Sequence, residues 1–289
     1  VPRTLRPGQR SELYVVDVAS GVSRLVFSSD DMLFEAPNWT PGGELIVNGN
    51  GRLFRVDDGL VEIELGGVPD INNDHVVSPD GQTVYVSAAD GHLYAVPFTG
   101  GPGRRVSNDR GPDFRHYLHG ISPDGTTLAY IGLEPVDGRR ITNVWTVPAA
   151  GGADVQITDD EHADDGSEYG PDGKWIYFNS ERAGHAQLFR IADGVAEQLT
   201  DDERVNWFPH PAPDGSAVAY VSFPPGTEGH PADIDDVRVR LLTPDGIREL
   251  ATLFGGQGTM NVPSWAPDST AFAYVAYPVG GSAALTNSL

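Results

Sequence analysis

Residues 72–81 read NNDHVVSPDG, and the pattern returns as YLHGISPDG (117–125), GSEYGPDG (166–173) and WFPHPAPDG (207–215). Six turn prolines, Pro41, Pro79, Pro123, Pro171, Pro213 and Pro267, stand 38, 44, 48, 42 and 54 residues apart. After each comes a short run rich in β-branched and aromatic residues: ELIVN, TVYVS, TLAYI, WIYFN, AVAYV and AFAYV. Further strands follow, as in HLYAVP, NVWTVP and VQIT, and no stretch keeps a helical period. Repeats of about 40–50 residues built only from strands predict four-stranded propeller blades.

The two ends fit as halves of one blade. The last repeat stops after its second strand near Tyr277, and the chain opens with ELYVVDVASGVSRLVF, a third and fourth strand without a first and second. Pairing them closes a ring and removes two exposed sheet edges. The expectation is an all-β, six-bladed propeller in a single domain over residues 1–289, with the blades at about 11–278.

The net charge of -22, from 41 Asp and Glu against 19 Lys and Arg, excludes nucleic acid as a partner, because phosphate binding needs clustered cations. No run approaches the roughly 18 apolar residues of a membrane span, so membrane insertion is not expected. The chain has no cysteine, which excludes disulfides and thiolate-bound zinc. The compartment stays open between cytoplasm and export.

The repeated SPDG, followed by an apolar strand and then LYAVPFTGG (93–101), resembles the Pro-Asp repeat of TolB-like β-propellers over nearly all of residues 11–278. NNDH, DDGSEYGPDG, NWFPH, GHPADIDD and FGGQGTMNVPSW are similar to a bacterial branch of that family. The resemblance implies the fold. It leaves function open, since propellers serve binding and catalysis alike.

In a propeller the innermost strand of each blade lines the channel and ends at the turn. Three or four residues before the turn prolines stand Asn38, His75, His119, Glu168, His210 and Ser264. The offset of His75 and His119 differs by one from that of Glu168 and His210, and a one-residue slip reverses a strand side chain. A bulge in HVVSPDG and HGISPDG would turn all four inward. His75, His119, His210 and Glu168 are therefore the expected ligands of one divalent Mn, Zn, Fe or Ni ion. Hydrogen bonding to channel water and neighbouring groups is the structural alternative.

The loops leading into these strands add Asn73, Asp74, Arg115, Tyr117, Asp164, Asp165, Arg204, Asn206 and Trp207. The long loop 223–236 adds His230, and FGGQGTMN (254–261) adds Gln257 and Asn261. Carboxylates, amides and an indole bind sugar hydroxyls and stack on sugar rings. Asp74, Asp164, Asp165 and Glu168 are the candidate acids and bases, and Arg115 and Arg204 the candidate clamp for a substrate carboxylate. The others are candidate binding groups, with packing between blades as the alternative for Trp207. The expected function is binding and cleavage of a saccharide or related polyol, by hydrolysis or elimination, with metal assistance. Oligogalacturonate lyases are similar in architecture: propellers with a His-bound divalent metal near the channel. The alternative is a non-catalytic ligand-binding or protein-interaction scaffold, as the resemblance to TolB implies.

Overall fold

The computed structural model describes residues 3–280, so residues 1–2 and 281–289 of the expected 1–289 domain lie outside the described residues. Six antiparallel sheets are arranged around one axis. Blades one to five begin at the innermost strands Phe34–Trp39, Ile71–Val77, Arg115–Ile121, Asp164–Tyr169 and Val205–Pro211, and each has four strands in sequence order. In blades two and three the outermost strand is only two residues long, Arg104–Arg105 and Val155–Gln156, which leaves little edge for another chain to pair with.

Blade six is closed by the two ends of the chain. Ser11–Asp17 pairs antiparallel with Ala271–Ala276, from Glu12 opposite Ala276 to Asp17 opposite Ala271, and Ser23–Ser29 adds the outer strand. Leu13, Val16, Phe272, Ala273 and Val275 are fully buried along this seam, and Tyr14 stacks on Tyr274 with ring centroids 5.5 Å apart. Blade six differs from the others at the axis. Its innermost segment is irregular, held by a single bridge from Trp265 to Phe272 and by Ala273 N–H donating to Ser264 O at 2.9 Å. Pro263 does not set this segment apart, since Pro37 and Pro209 stand at the same offset from their turn prolines inside complete inner strands.

The turns obey the sequence. In SPDG the serine hydroxyl donates to the aspartate, and the aspartate accepts the backbone N–H two residues on, as in Asp80 with Gln82 and Asp124 with Thr126. The fourth residue needs a left-handed φ, and glycine supplies it in five turns. In the sixth, Ser269 takes φ 62° and its Oγ accepts the Asp214 N–H of the neighbouring turn at 3.0 Å.

Every complete innermost strand carries a bulge, at Glu35/Asn38, Ile71/His75, Leu118/Gly120, Asp165/Glu168 and Trp207/His210. The expected bulge is present in HGISPDG, at His119, but not in HVVSPDG, where His75, Val76 and Val77 pair in register with Val86, Tyr85 and Val84 and the irregularity lies before His75; bulging is general to the inner strands. It twists each strand where it passes the axis.

Candidate functional site

The channel is filled at its loop-face end by the segment leading into blade six. Gly255–Val262 turns through the short helix Gln257–Thr259, and Met260, Asn261 and Val262 are all fully buried at the axis. This segment supplies acceptors to imidazoles of two other blades. His119 Nδ1 meets Asn261 O at 3.0 Å and His210 Nε2 meets Met260 O at 3.2 Å.

The second nitrogen of each imidazole faces a carboxylate. His119 Nε2 lies 3.0 Å from Asp165 Oδ1, and His210 Nδ1 lies 2.6 Å from Glu168 Oε2. A carbonyl and a carboxylate both accept, so His119 donates from both nitrogens. Burial opposes its charge, but Asp74 and Asp165 outweigh that and raise its pKa to about 9. Asp165 is disfavoured as an anion by burial, yet its hydrogen bond from His119 and the nearby His230 hold it below the usual carboxylate range. Asp74, almost fully enclosed, is pushed up to about 6 by burial despite the pull of His119. Its Oδ1 accepts the Asn261 side-chain N–H at 3.0 Å. His230, from the long blade-five loop, caps this network with Nε2 3.6 Å from Asp165 Oδ2 and its ring edge-on to Trp207 at 4.8 Å.

The four expected metal ligands do not converge. His119 belongs to the loop-face network, whereas Glu168 and His210 pair nearer the turn face. His75 is fully buried and neither of its ring nitrogens meets a protein partner; burial drives its pKa down to about 3. A histidine that donates from both nitrogens has no lone pair for a metal. Among the described residues no three His, Asp or Glu side chains are grouped to hold an ion. The donor set does not fit the divalent metal expected from the sequence: the carbonyls of Asn261 and Met260 occupy His119 and His210, and His75 is not grouped with them.

His75 yields a test. Its neutral form is favoured in the fold, so its contribution is present above the usual 6.5 and is lost as pH falls toward 3. His75→Leu removes a buried polar group without partners, and such a change is neutral or stabilising by about 1 kcal/mol. Thermal melts from pH 7 to 4 should show His75→Leu at least as stable as the parent at neutrality and less sensitive to acid.

Strand alternation separates the remaining candidates. Asp165 points to the axis, so Asp164 points away: it is bound by Arg182 at 3.1 Å and burial raises its pKa to about 6. Arg204 is held within blade five by Ser222 and Asp236, with Nη1 2.9 Å from Asp236 Oδ2. Asn206 is buried against Gln187, Thr200 and Ser222. Arg115 hydrogen-bonds the carbonyls of Pro112 and Phe114. Trp207 packs among Phe208 and His230 at 4% exposure. Tyr117 is half-buried, with its hydroxyl pKa raised first by burial and then by Asp74 and Asp165.

Asn73 and Gln257 instead line a cleft of about 330 Å³ on the loop face, between blades one and two. Its wall also carries Arg3, Glu35, Asn48, Asp70 and Asn72. Asn48 is 4% exposed and its Oδ1 has no protein partner. Glu35 is 8% exposed; burial raises its pKa against the pull of Arg3, whose Nη1 lies 2.8 Å away. Asn72 joins the cleft to the axial network by donating to Asp74. Glu35 was missed in the sequence although a signal exists. It stands six residues before Pro41, the offset shared by Asn73, Tyr117, Asp165, Trp207 and Asn261 before their own turn prolines. These six positions form one level of the ring.

No family model matches the chain. An uncharacterised protein of Agrobacterium fabrum is 38% identical over 281 residues, covering 93% of this chain and 92% of that protein. Among solved structures, a candidate TolB from Agrobacterium tumefaciens superposes with a TM-score of 0.86 at 38% identity, over 94% of this chain and 99% of that one. TolB from Acinetobacter baumannii gives 0.55 at 15% identity, over 94% of this chain and 64% of its own. Oligogalacturonate lyase in complex with manganese gives 0.57 at 14% identity, over 88% and 74%. The last two likenesses speak for the fold alone.

Proposed function

The chain belongs to the TolB-like β-propeller family, and from that premise we propose that it binds a small neutral polyhydroxylated ligand, of the saccharide or polyol class, in the loop-face cleft. The observation that carries this reading is the cleft wall: an enclosed amide oxygen without a protein partner, on Asn48, beside Asn72, Asn73, Gln257 and Glu35. Amides and carboxylates together accept and donate to vicinal hydroxyls. At about 330 Å³ the cleft lies at the small end of ligand pockets.

Charge narrows the class. Arg3 is engaged by Glu35 at 2.8 Å, and Arg52, at the rim, by Asp70 at 2.8 Å. A ligand phosphate or carboxylate would meet cations already paired and would face Glu35 and Asp70. A neutral polyol meets no such opposition. Cleavage of a bound glycoside would draw on the cleft carboxylates Glu35 and Asp70. The metal-assisted route is not carried forward, because His119 and His210 are already engaged and His75 is not grouped with them.

Calorimetric titration of a panel of monosaccharides, disaccharides and alditols tests the reading, with a reducing-sugar assay on the ligands that bind. Asn48→Ala is expected to weaken binding about fivefold to tenfold, the worth of one hydrogen bond to a neutral group, with little change in melting temperature. No binding across the panel, or affinity indifferent to Asn48→Ala, overturns it. A protein-interaction role of the TolB type is the second reading, supported by the likeness to the candidate TolB. Among the described residues no helix is long and apolar enough to cross a membrane.

A further inference from the structure

The opposite end of the propeller axis opens into a second cavity, of about 380 Å³, on the turn face. Its rim is the ring of six turn prolines. Trp39, Tyr169 and Trp265 add aromatic walls, and Glu168 reaches it from the axis. We propose that this funnel binds a small organic cation carrying an alkylated ammonium group.

The argument begins with what the rim lacks. Proline has no N–H, so seven of the lining residues, the six turn prolines and Pro211, offer no backbone donor. The Trp265 indole N–H is taken by His210 O at 2.8 Å, and that of Trp39 is buried without a protein partner, one donor of the wall that is left unpaired. A phosphate or carboxylate would find few donors here and a carboxylate facing it. A polyol would leave most of its hydroxyls unpaired. An alkylated ammonium needs no acceptor for each of its substituents. It is stabilised by aromatic faces and by one nearby anion.

Glu168 is that anion. The side chain is nine-tenths buried, and of its two oxygens only Oε2 meets a donor among the described residues, the His210 ring. Burial raises its pKa, with His210 pulling the other way. A cation seated in the funnel would meet Glu168 Oε1, the oxygen that the His210 ring leaves without a donor. The turn residues make the cup rigid, since in five of the six turns the aspartate accepts the backbone N–H two residues on and fixes the rim before any ligand arrives. The overall charge of -22 favours the approach of a cation.

The test uses choline and its neutral isostere 3,3-dimethylbutan-1-ol, titrated calorimetrically and followed by tryptophan fluorescence. Choline is expected to bind at least tenfold more tightly than the isostere. Glu168→Gln, which keeps the shape and an acceptor for His210, is expected to lose at least tenfold in choline affinity and nothing in isostere affinity. Trp39→Leu, remote from the His210 pair, should weaken choline as well and guards against misfolding of the first variant. Equal affinity for the two ligands, choline binding unchanged in Glu168→Gln, or no choline binding at tens of millimolar each overturns the proposal. The loop-face cleft is untouched by these variants, so the polyol reading stands or falls separately.

Discussion

His119→Ala is expected to lower the stability of the propeller by about 3–5 kcal/mol, the cost of removing one partner from a buried ion pair. Asp165 would keep only the Gly166 N–H, at 2.8 Å, and His230, 3.6 Å away, and Asn261 O would lose its donor. For a chain of this size the melting temperature should fall on the order of 10 °C. Pure loss of a ligand-binding residue would leave melting almost unchanged, so thermal denaturation separates a positioning role from a purely ligand-contacting one.

The same pair fixes an alkaline limb. The folded pKa of His119, about 9, lies above the usual 6.5, so its stabilisation is complete below 6.5 and is lost as pH rises through 9. The loss amounts to about 3 kcal/mol. Asp74 also binds its proton more tightly in the fold, but at about 6 its effect is spent before that window is fully entered. Stability measured by urea titration should decline from pH 7 to 10 in the parent. His119→Gln, which cannot take up the charge, should be less stable at pH 7 and nearly flat over the same range. A parent curve as flat as that of the variant would remove the ion pair from the account.

Gly258→Ala is the second change of large expected effect. Gly258 lies in the axial segment against Glu35 and Tyr277, where an added Cβ would collide with Glu35 Oε2 and sit 2.6 Å from the Tyr277 hydroxyl. Tyr277 is fully buried and Glu35 is pinned by Arg3, so neither yields easily. Overpacking of this kind costs about 1–3 kcal/mol. The larger consequence falls on the cleft: displaced Glu35 and Gln257 should abolish detectable polyol binding while choline binding on the turn face is retained. Loss of both together would report global damage instead.

Much of the fold was legible because its signals are local. Proline, aspartate and glycine specify a turn by their own backbone preferences, so the six repeats could be counted. The half-blades at the two ends were legible for the same reason, since Ser11–Asp17 and Ala271–Ala276 are strands by composition wherever they pair. The irregular inner segment of blade six was not legible: Pro263 stands where Pro37 and Pro209 stand in the complete inner strands of blades one and five, and nothing local says that the segment enters the channel. Asp164 and Asp165 show a second limit. Both were candidates, and only register against Asn179 and Ser180 decides which one faces the axis.

By itself the sequence determined a ring of six sheets closed by its own ends, because turn chemistry and strand propensity act over a few residues and survive any context. Tertiary structure decided which imidazoles are free. Residues more than a hundred positions apart, His119 and Asn261, meet only once the ring closes, and the carbonyl that arrives there converts a plausible metal ligand into half of a buried ion pair. Glu35 becomes a cleft residue by the same kind of distant meeting, with Gly258 and Arg3. Hydrogen-bond satisfaction at the axis is a property of the closed ring, and no window of the chain contains it.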